Sequence, residues 1–262
     1  MSRPQYIAIG STLVLFLVLY LGCETKPPGQ TKVESVRALQ AESTDVNVLI
    51  REAHDSLSQA EISTLQVLEQ ELSNTADDST KIELLQQISG TWFQAGFPAI
   101  AGFYAQQVAE TTSTEEAWSI AGTTYALCVQ RETAEKVKSF CSQRAVTAFE
   151  NAISLNPTEV RHRVNLALTY TDAPPTNDPM KGIMMLRELE QSFPESPIVY
   201  TTLARLAMKT GQFDRATQRL ETALELQPDD LTIICQLAAA YEAAGQLEKA
   251  ASFRQQCQEA AQ

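Results

Sequence analysis

The chain has 262 residues, of which 44% are hydrophobic and 20% charged, the composition of an ordinary globular protein with a sizeable core. Its net charge of −12 argues against a nucleic-acid backbone or an anionic membrane surface as the main partner. Glycine is scarce, with ten residues, and Ala, Leu, Glu and Gln crowd the second half, a mix that favours helix over sheet.

In chain order, the first element is an apolar run, Tyr6 to Leu21, with neither charge nor proline. As a helix it spans about 24 Å, short of a hydrocarbon core of about 30 Å. It therefore reads as a marginal transmembrane span or a signal-peptide core. Arg3 precedes it and Gly22-Cys23 ends it. A small residue before cysteine after an apolar run resembles a bacterial lipoprotein lipobox, which implies lipidation of Cys23. Tyr20 departs from that resemblance, since leucine is usual there, and an uncleaved anchor stays open. Either way, through lipid on Cys23 or through the 1–22 segment kept as an anchor, the chain is expected at a membrane. Lys26, Lys32 and Arg37 beyond the span would hold that side in the cytoplasm by the positive-inside rule. The order of basic start, apolar run and small residue before cysteine is the more specific pattern. It points to a bacterial envelope, with the rest of the chain facing the periplasm.

Residues 23–44 read as a flexible tether, because Pro27-Pro28-Gly29 blocks helix and apolar residues are few. From Asp45, a plausible N-cap, Leu49, Ala53, Leu57, Ala60, Leu65, Leu68 and Leu72 recur at helical spacings. They predict one packing helix over 45–73, with Asn74 to Thr80 as the turn after it. Internal repetition follows. Laying Pro197–Asp230 over the stretch from Leu231 puts Leu203-Ala204 on Leu237-Ala238, Gly211-Gln212-Phe213 on Gly245-Gln246-Leu247 and Ala216 on Ala250. Small residues at 204 and 216 let two antiparallel helices approach closely. Gly211 permits the left-handed turn between them, and Pro228 stops the second helix.

This period of about 34 residues resembles the tetratricopeptide repeat family. The frame extends upstream through Trp118, Gly122, Tyr125, Ala145, Phe149, Ala152 and Pro157, then Leu166, Ala167, Tyr170, Gly182, Leu186 and Pro194. A degenerate unit carries Trp92, Gly96, Ala101 and Val108. The resemblance implies an all-α solenoid of antiparallel helix hairpins over 82–262, with units at 82–114, 115–159, 160–196, 197–230 and 231–262. The second unit is eleven residues longer than usual between Tyr125 and Ala145. The third gains a proline-rich turn, Ala173 to Pro179.

Little in the chain carries chemistry. His54 and His162 stand in separate helices without metal spacing, and each reads as solvated surface. There is neither a Gly-rich phosphate loop nor a nucleophile elbow, and the carboxylates scatter at helical intervals as a solvated face does. The expectation is a protein without catalytic activity, cofactor, metal or small-molecule substrate. Apart from Cys23, four cysteines remain, an even set that an oxidising compartment would let pair. Cys128 and Cys141 continue the buried stripes of their two helices and flank a turn at Glu132–Ala134, four residues before it and seven after it. They are expected to bond to each other. Cys235, placed after a buried Ile234 and toward the groove, and Cys257 are expected to stay free.

In the family the first helix of each unit lines a concave groove. The matching positions here include Arg161, Val164 and Leu168, then Thr201, Arg205, Met208 and Lys209, then Thr232, Cys235, Ala239 and Glu242. Asn165 resembles the asparagine of a carboxylate clamp, but Ser119, Thr123, Ile198 and Thr202 do not fit its other positions, so a clamp is rejected. Arg161, Asn165, Arg205 and Lys209 remain as candidate contacts to a protein or peptide, unless the cations only pair with neighbouring carboxylates. Two functions follow: a membrane-tethered interaction scaffold, or a structural subunit built permanently into a larger membrane complex.

Overall fold

The computed structural model describes residues 45–259. The apolar run, Cys23 and the tether lie outside the described residues. The described residues form twelve α-helices and no strand. In order they are α1 Val46–His54, α2 Gln59–Asn74, α3 Asp78–Gln94, α4 Pro98–Thr112, α5 Glu115–Arg131 and α6 Glu135–Leu155. Then come α7 Val160–Asp172, α8 Lys181–Ser192, α9 Pro197–Lys209, α10 Phe213–Leu226, α11 Leu231–Ala243 and α12 Leu247–Glu259. Among them no helix is long and apolar enough to cross a membrane.

Where one helix was expected over 45–73 there are two, and the cause is local. Ser58 starts α2 with a capping box: its hydroxyl accepts from the Glu61 N–H at 3.3 Å, and the Glu61 carboxylate accepts from the Ser58 N–H at 2.7 Å. The helical spacing of apolar residues runs across this break because α1 packs on α4 and α2 on α3. Asp77 caps α3 through the Thr80 N–H at 2.8 Å, Thr114 caps α5, and Asp230 caps α11 through Thr232 and Ile233.

From α3 onward the helices pair into five hairpins. Three of them, α3–α4, α9–α10 and α11–α12, turn in the same way. Gly96, Gly211 and Gly245 have φ of 90°, 72° and 74°. The following residue donates its N–H five positions back, Phe97 to Trp92, Gln212 to Ala207 and Gln246 to Tyr241, each at 2.9 Å. This six-residue closure satisfies a helix-end carbonyl and needs the left-handed residue that glycine supplies. The α5–α6 and α7–α8 hairpins lack it and turn through 132–134 and 173–180 instead.

Close packing inside the stack rests on small residues. Ala145, Ala152, Ala167, Ala204, Ala216 and Ala223 are fully buried. A Cβ on Gly122 would stand 2.7 Å from the Phe149 ring, and one on Gly182 would stand 2.4 Å from the Ala167 carbonyl. Buried hydrophobic residues form successive clusters along the array: Leu49, Trp92, Tyr125 and Phe149 belong to the first, Val164, Leu186 and Leu203 to the next, and Leu237 and Tyr241 to the last. Each unit thus buries its face only against its neighbours, as a solenoid does.

Candidate functional site

The long second hairpin shapes the site. Its turn lies beyond the extra residues, so the end of α5 and the start of α6 stand over the first helices of the following units. Val129 and Gln130 of α5, Lys138 of α6, Leu168 and Asp172 of α7, and Arg205, Leu206 and Lys209 of α9 enclose a cavity of about 230 Å3. Three of its four charged groups are cations. The acid, Asp172, accepts a hydrogen bond from Gln130 Nε2 at 3.0 Å. Among the described residues Lys138, Arg205 and Lys209 take part in no ion pair, so with Asp172 as the one acid the cavity lining is net positive.

Of the four candidate contacts, Arg205 and Lys209 line this cavity and Arg161 and Asn165 do not. Arg161, Asn165, Leu168 and Asp172 follow one another at steps of four, three and four residues along one face of α7. Arg161 is about 16 Å along that face from Asp172. It is exposed and forms no ion pair among the described residues. Val164, expected on the groove, is 1% exposed and belongs to the core. Lys138, Gln130 and Asp172 were missed, because the first two stand on the extension, where the repeat pattern assigns no positions.

A second cavity, about 550 Å3, opens between α3, α4 and α5. It is mainly apolar, and Phe93 and Ile120 at its edge stay 40% and 55% exposed.

His54 is exposed, as a surface histidine should be. His162 corrects the other half of that expectation, being only 2% exposed. Its Nε2 hydrogen-bonds the Glu115 carboxylate, whose second oxygen accepts from Asn156 Nδ2 at 3.1 Å. Flanked by Arg161 and Arg163, it looked polar in sequence. In the helix those arginines point aside, while His162 faces the start of α5. Asn156 first and His162 second hold the Glu115 carboxyl below its usual range. His162 Nδ1 has no partner, and no group of three or more metal-ligating side chains occurs among the described residues.

Cys128 and Cys141 are joined, with Cα atoms 6.1 Å apart. So are Cys235 and Cys257, at 5.1 Å, against the expectation that they stay free. That error lay in the helical phase. Ile233, Leu237, Ala240 and Tyr241 form the buried stripe of α11, and Ile234 is only partly buried. The true phase turns Cys235 toward α12, where Ala250, Phe253 and Cys257 continue one packing face.

Residues 177–233, covering α8 to the start of α11, match the tetratricopeptide repeat model. Over those residues the chain carries a tetratricopeptide repeat. Among curated proteins none matches its sequence. Solved structures similar to this chain include MamA, residues 41 to the end, from Desulfovibrio magneticus RS-1, at 17% identity over 68% of this chain and 93% of that one, TM-score 0.42. TTC0263, a thermophilic TPR protein of Thermus thermophilus, is 19% identical over 69% of this chain and 90% of its own, TM-score 0.49. MamA AMB-1 is 21% identical over 70% and 92%, TM-score 0.38.

Proposed function

We propose that this protein is a non-catalytic interaction scaffold, tethered to a bacterial envelope through its N-terminus, that binds an acidic or C-terminal protein segment among its first helices. Tetratricopeptide repeats are in general protein-binding modules, and one observation carries the ligand class. Three unpaired cations, Lys138, Arg205 and Lys209, face one cavity of a chain with a net charge of −12. Three cations against one acid, Asp172, leave the cavity net positive in an acidic protein, and that charge attracts a carboxylate from outside it. The two disulfides support an oxidising compartment, and residues 1–23 supply the attachment in this reading, with Cys23 as the lipidated residue.

The test is capture of a partner by crosslinking in native membranes, with wild type and the double variant Arg205→Glu, Lys209→Glu. The variant should lose most of the captured partner while keeping its melting temperature, since exposed charges contribute little to stability. Equal capture at low salt would remove the groove from the reading. For the attachment, Cys23→Ser should abolish labelling by a fatty-acid analogue, and equal labelling would leave only the uncleaved anchor. The exposed Phe93 and Ile120 favour a second reading, a permanent subunit of a larger complex. In that case the chain purified alone aggregates.

A further inference from the structure

We infer that the two cavities hold one partner segment, with an apolar side chain seated between α3 and α5 and carboxylates among Lys138, Arg205 and Lys209. This deepens the reading of an acidic ligand and rests on it. The apolar cavity has Gly90, Val108 and Ala117 among its lining residues, Phe93 and Ile120 at its mouth, and Glu116 as its one charged lining residue. It holds no cation for a carboxylate and offers a seat to a leucine-sized or aromatic side chain.

Helix α5 joins the two cavities. Its open face carries Glu116, Ile120, Thr123, Leu127 and Gln130 at alternating steps of four and three residues, each exposed or half-exposed, so they form one stripe. Ile120 borders the apolar cavity and Gln130 the basic one. The stretch of helix between them is about 15 Å long at 1.5 Å per residue. An extended segment crosses that distance in about five residues. Single exposed charge contacts bind weakly, and one seated side chain buries little area. A segment engaging both ends gains the effective concentration that the link provides. The occupant is an acidic partner rather than a second copy of this chain, because two chains at −12 repel one another.

The probes are fluorescein-labelled synthetic peptides, titrated against the full chain in lipid nanodiscs. One carries a leucine pair, a Gly-Ser spacer of about five residues and a C-terminal aspartate cluster. Others carry only the leucines, only the aspartates, or both with no spacer. The spaced peptide should bind roughly tenfold or more tighter than any other. Ile120→Glu should reduce it to the affinity of the aspartate peptide. Arg205→Glu with Lys209→Glu should reduce it to that of the leucine peptide and abolish its salt dependence. Unchanged helicity and melting temperature verify that both variants fold. An aspartate peptide binding as tightly as the spaced one overturns the two-part site but leaves the acidic-ligand reading intact. Failure of every peptide overturns both. Concentration-dependent dimerisation abolished by Ile120→Glu assigns the apolar cavity to a second copy and overturns the two-part site.

Discussion

The second hairpin, α5–α6, and the last, α11–α12, are both closed by a disulfide, yet they are held in place by different means. In the second, Cys128 and Cys141 are 1% and 0% exposed, beneath Tyr125 and Phe149 that are fully buried. Helices α4 and α7 flank it, and Arg144 stacks on Phe140 with its guanidinium carbon 4.5 Å from the ring centre. In the last, α12 buries only Ala250 completely, and both cysteines are partly exposed. Tyr241 stacks on Phe253 with centroids 5.6 Å apart, and burial, then the Glu221 carboxylate its hydroxyl donates to, pushes its pKa up. The same covalent link is redundant where neighbours already fix the helices and decisive where they do not.

The largest expected effect tests that contrast by packing. Phe149→Ala should lower unfolding stability by about 3–5 kcal/mol, as deletion of a buried aromatic does. Phe253→Ala should cost less than half as much, since that ring is only partly buried. Comparable losses by denaturant unfolding would show that the last hairpin is as tightly packed as the second.

The disulfides sharpen it next. They close loops of sequence separation 13 and 22, so loop entropy assigns each roughly 3 kcal/mol and does not distinguish them. Access does. Titration with a mild thiol should free Cys235 and Cys257 first, read by alkylation and mass spectrometry, while Cys128 and Cys141 stay bonded until the array unfolds. Simultaneous release would mean that the stack opens as one unit.

Glycine substitutions separate tertiary from local constraint at a smaller scale. Gly122→Ala drives a methyl against the Phe149 ring and should cost about 1–3 kcal/mol by thermal melting. Gly245→Ala meets no atom within 4 Å but must keep φ at 74°, a penalty of roughly 1 kcal/mol. The smallest effect concerns the tie from the long hairpin to α7. The Glu115 carboxyl is depressed below its ordinary value of 4.5, so the unfolded chain binds more protons through that window. Its contribution is present above pH 4.5 and is lost as pH falls through the depressed value. The melting-temperature gap between wild type and Glu115→Gln should therefore close on acidification. A gap that widens instead would give the stabilising role to another group.

Much of the architecture could be read from spacing because a repeat protein writes its contacts locally. Ala204, Ala216, Gly211 and Gly245 recur in register, and each acts on a helix next to its own. The turn at 132–134 and the proline-rich turn before α8 were legible for the same reason. Three features escaped. The capping box at Ser58 and Glu61 was present in the sequence but was overridden by an apolar spacing that two helices share. A one-residue error of phase in α11 hid the partner of Cys235. Lys138 meets Arg205 and Lys209 across more than sixty residues of sequence, through the geometry of an inserted hairpin end, and no periodicity encodes such a meeting.

Each disulfide encloses the turn of its own hairpin: the first spans 132–134 and the second 244–246. A protease that severs either turn leaves both halves covalently attached and held side by side as before. These are the bends of the hairpins, where exposed peptide bonds invite attack. The chain can be nicked at both and still travel as one molecule until it meets a reductant, so the two bends are expendable as connections in an oxidising medium.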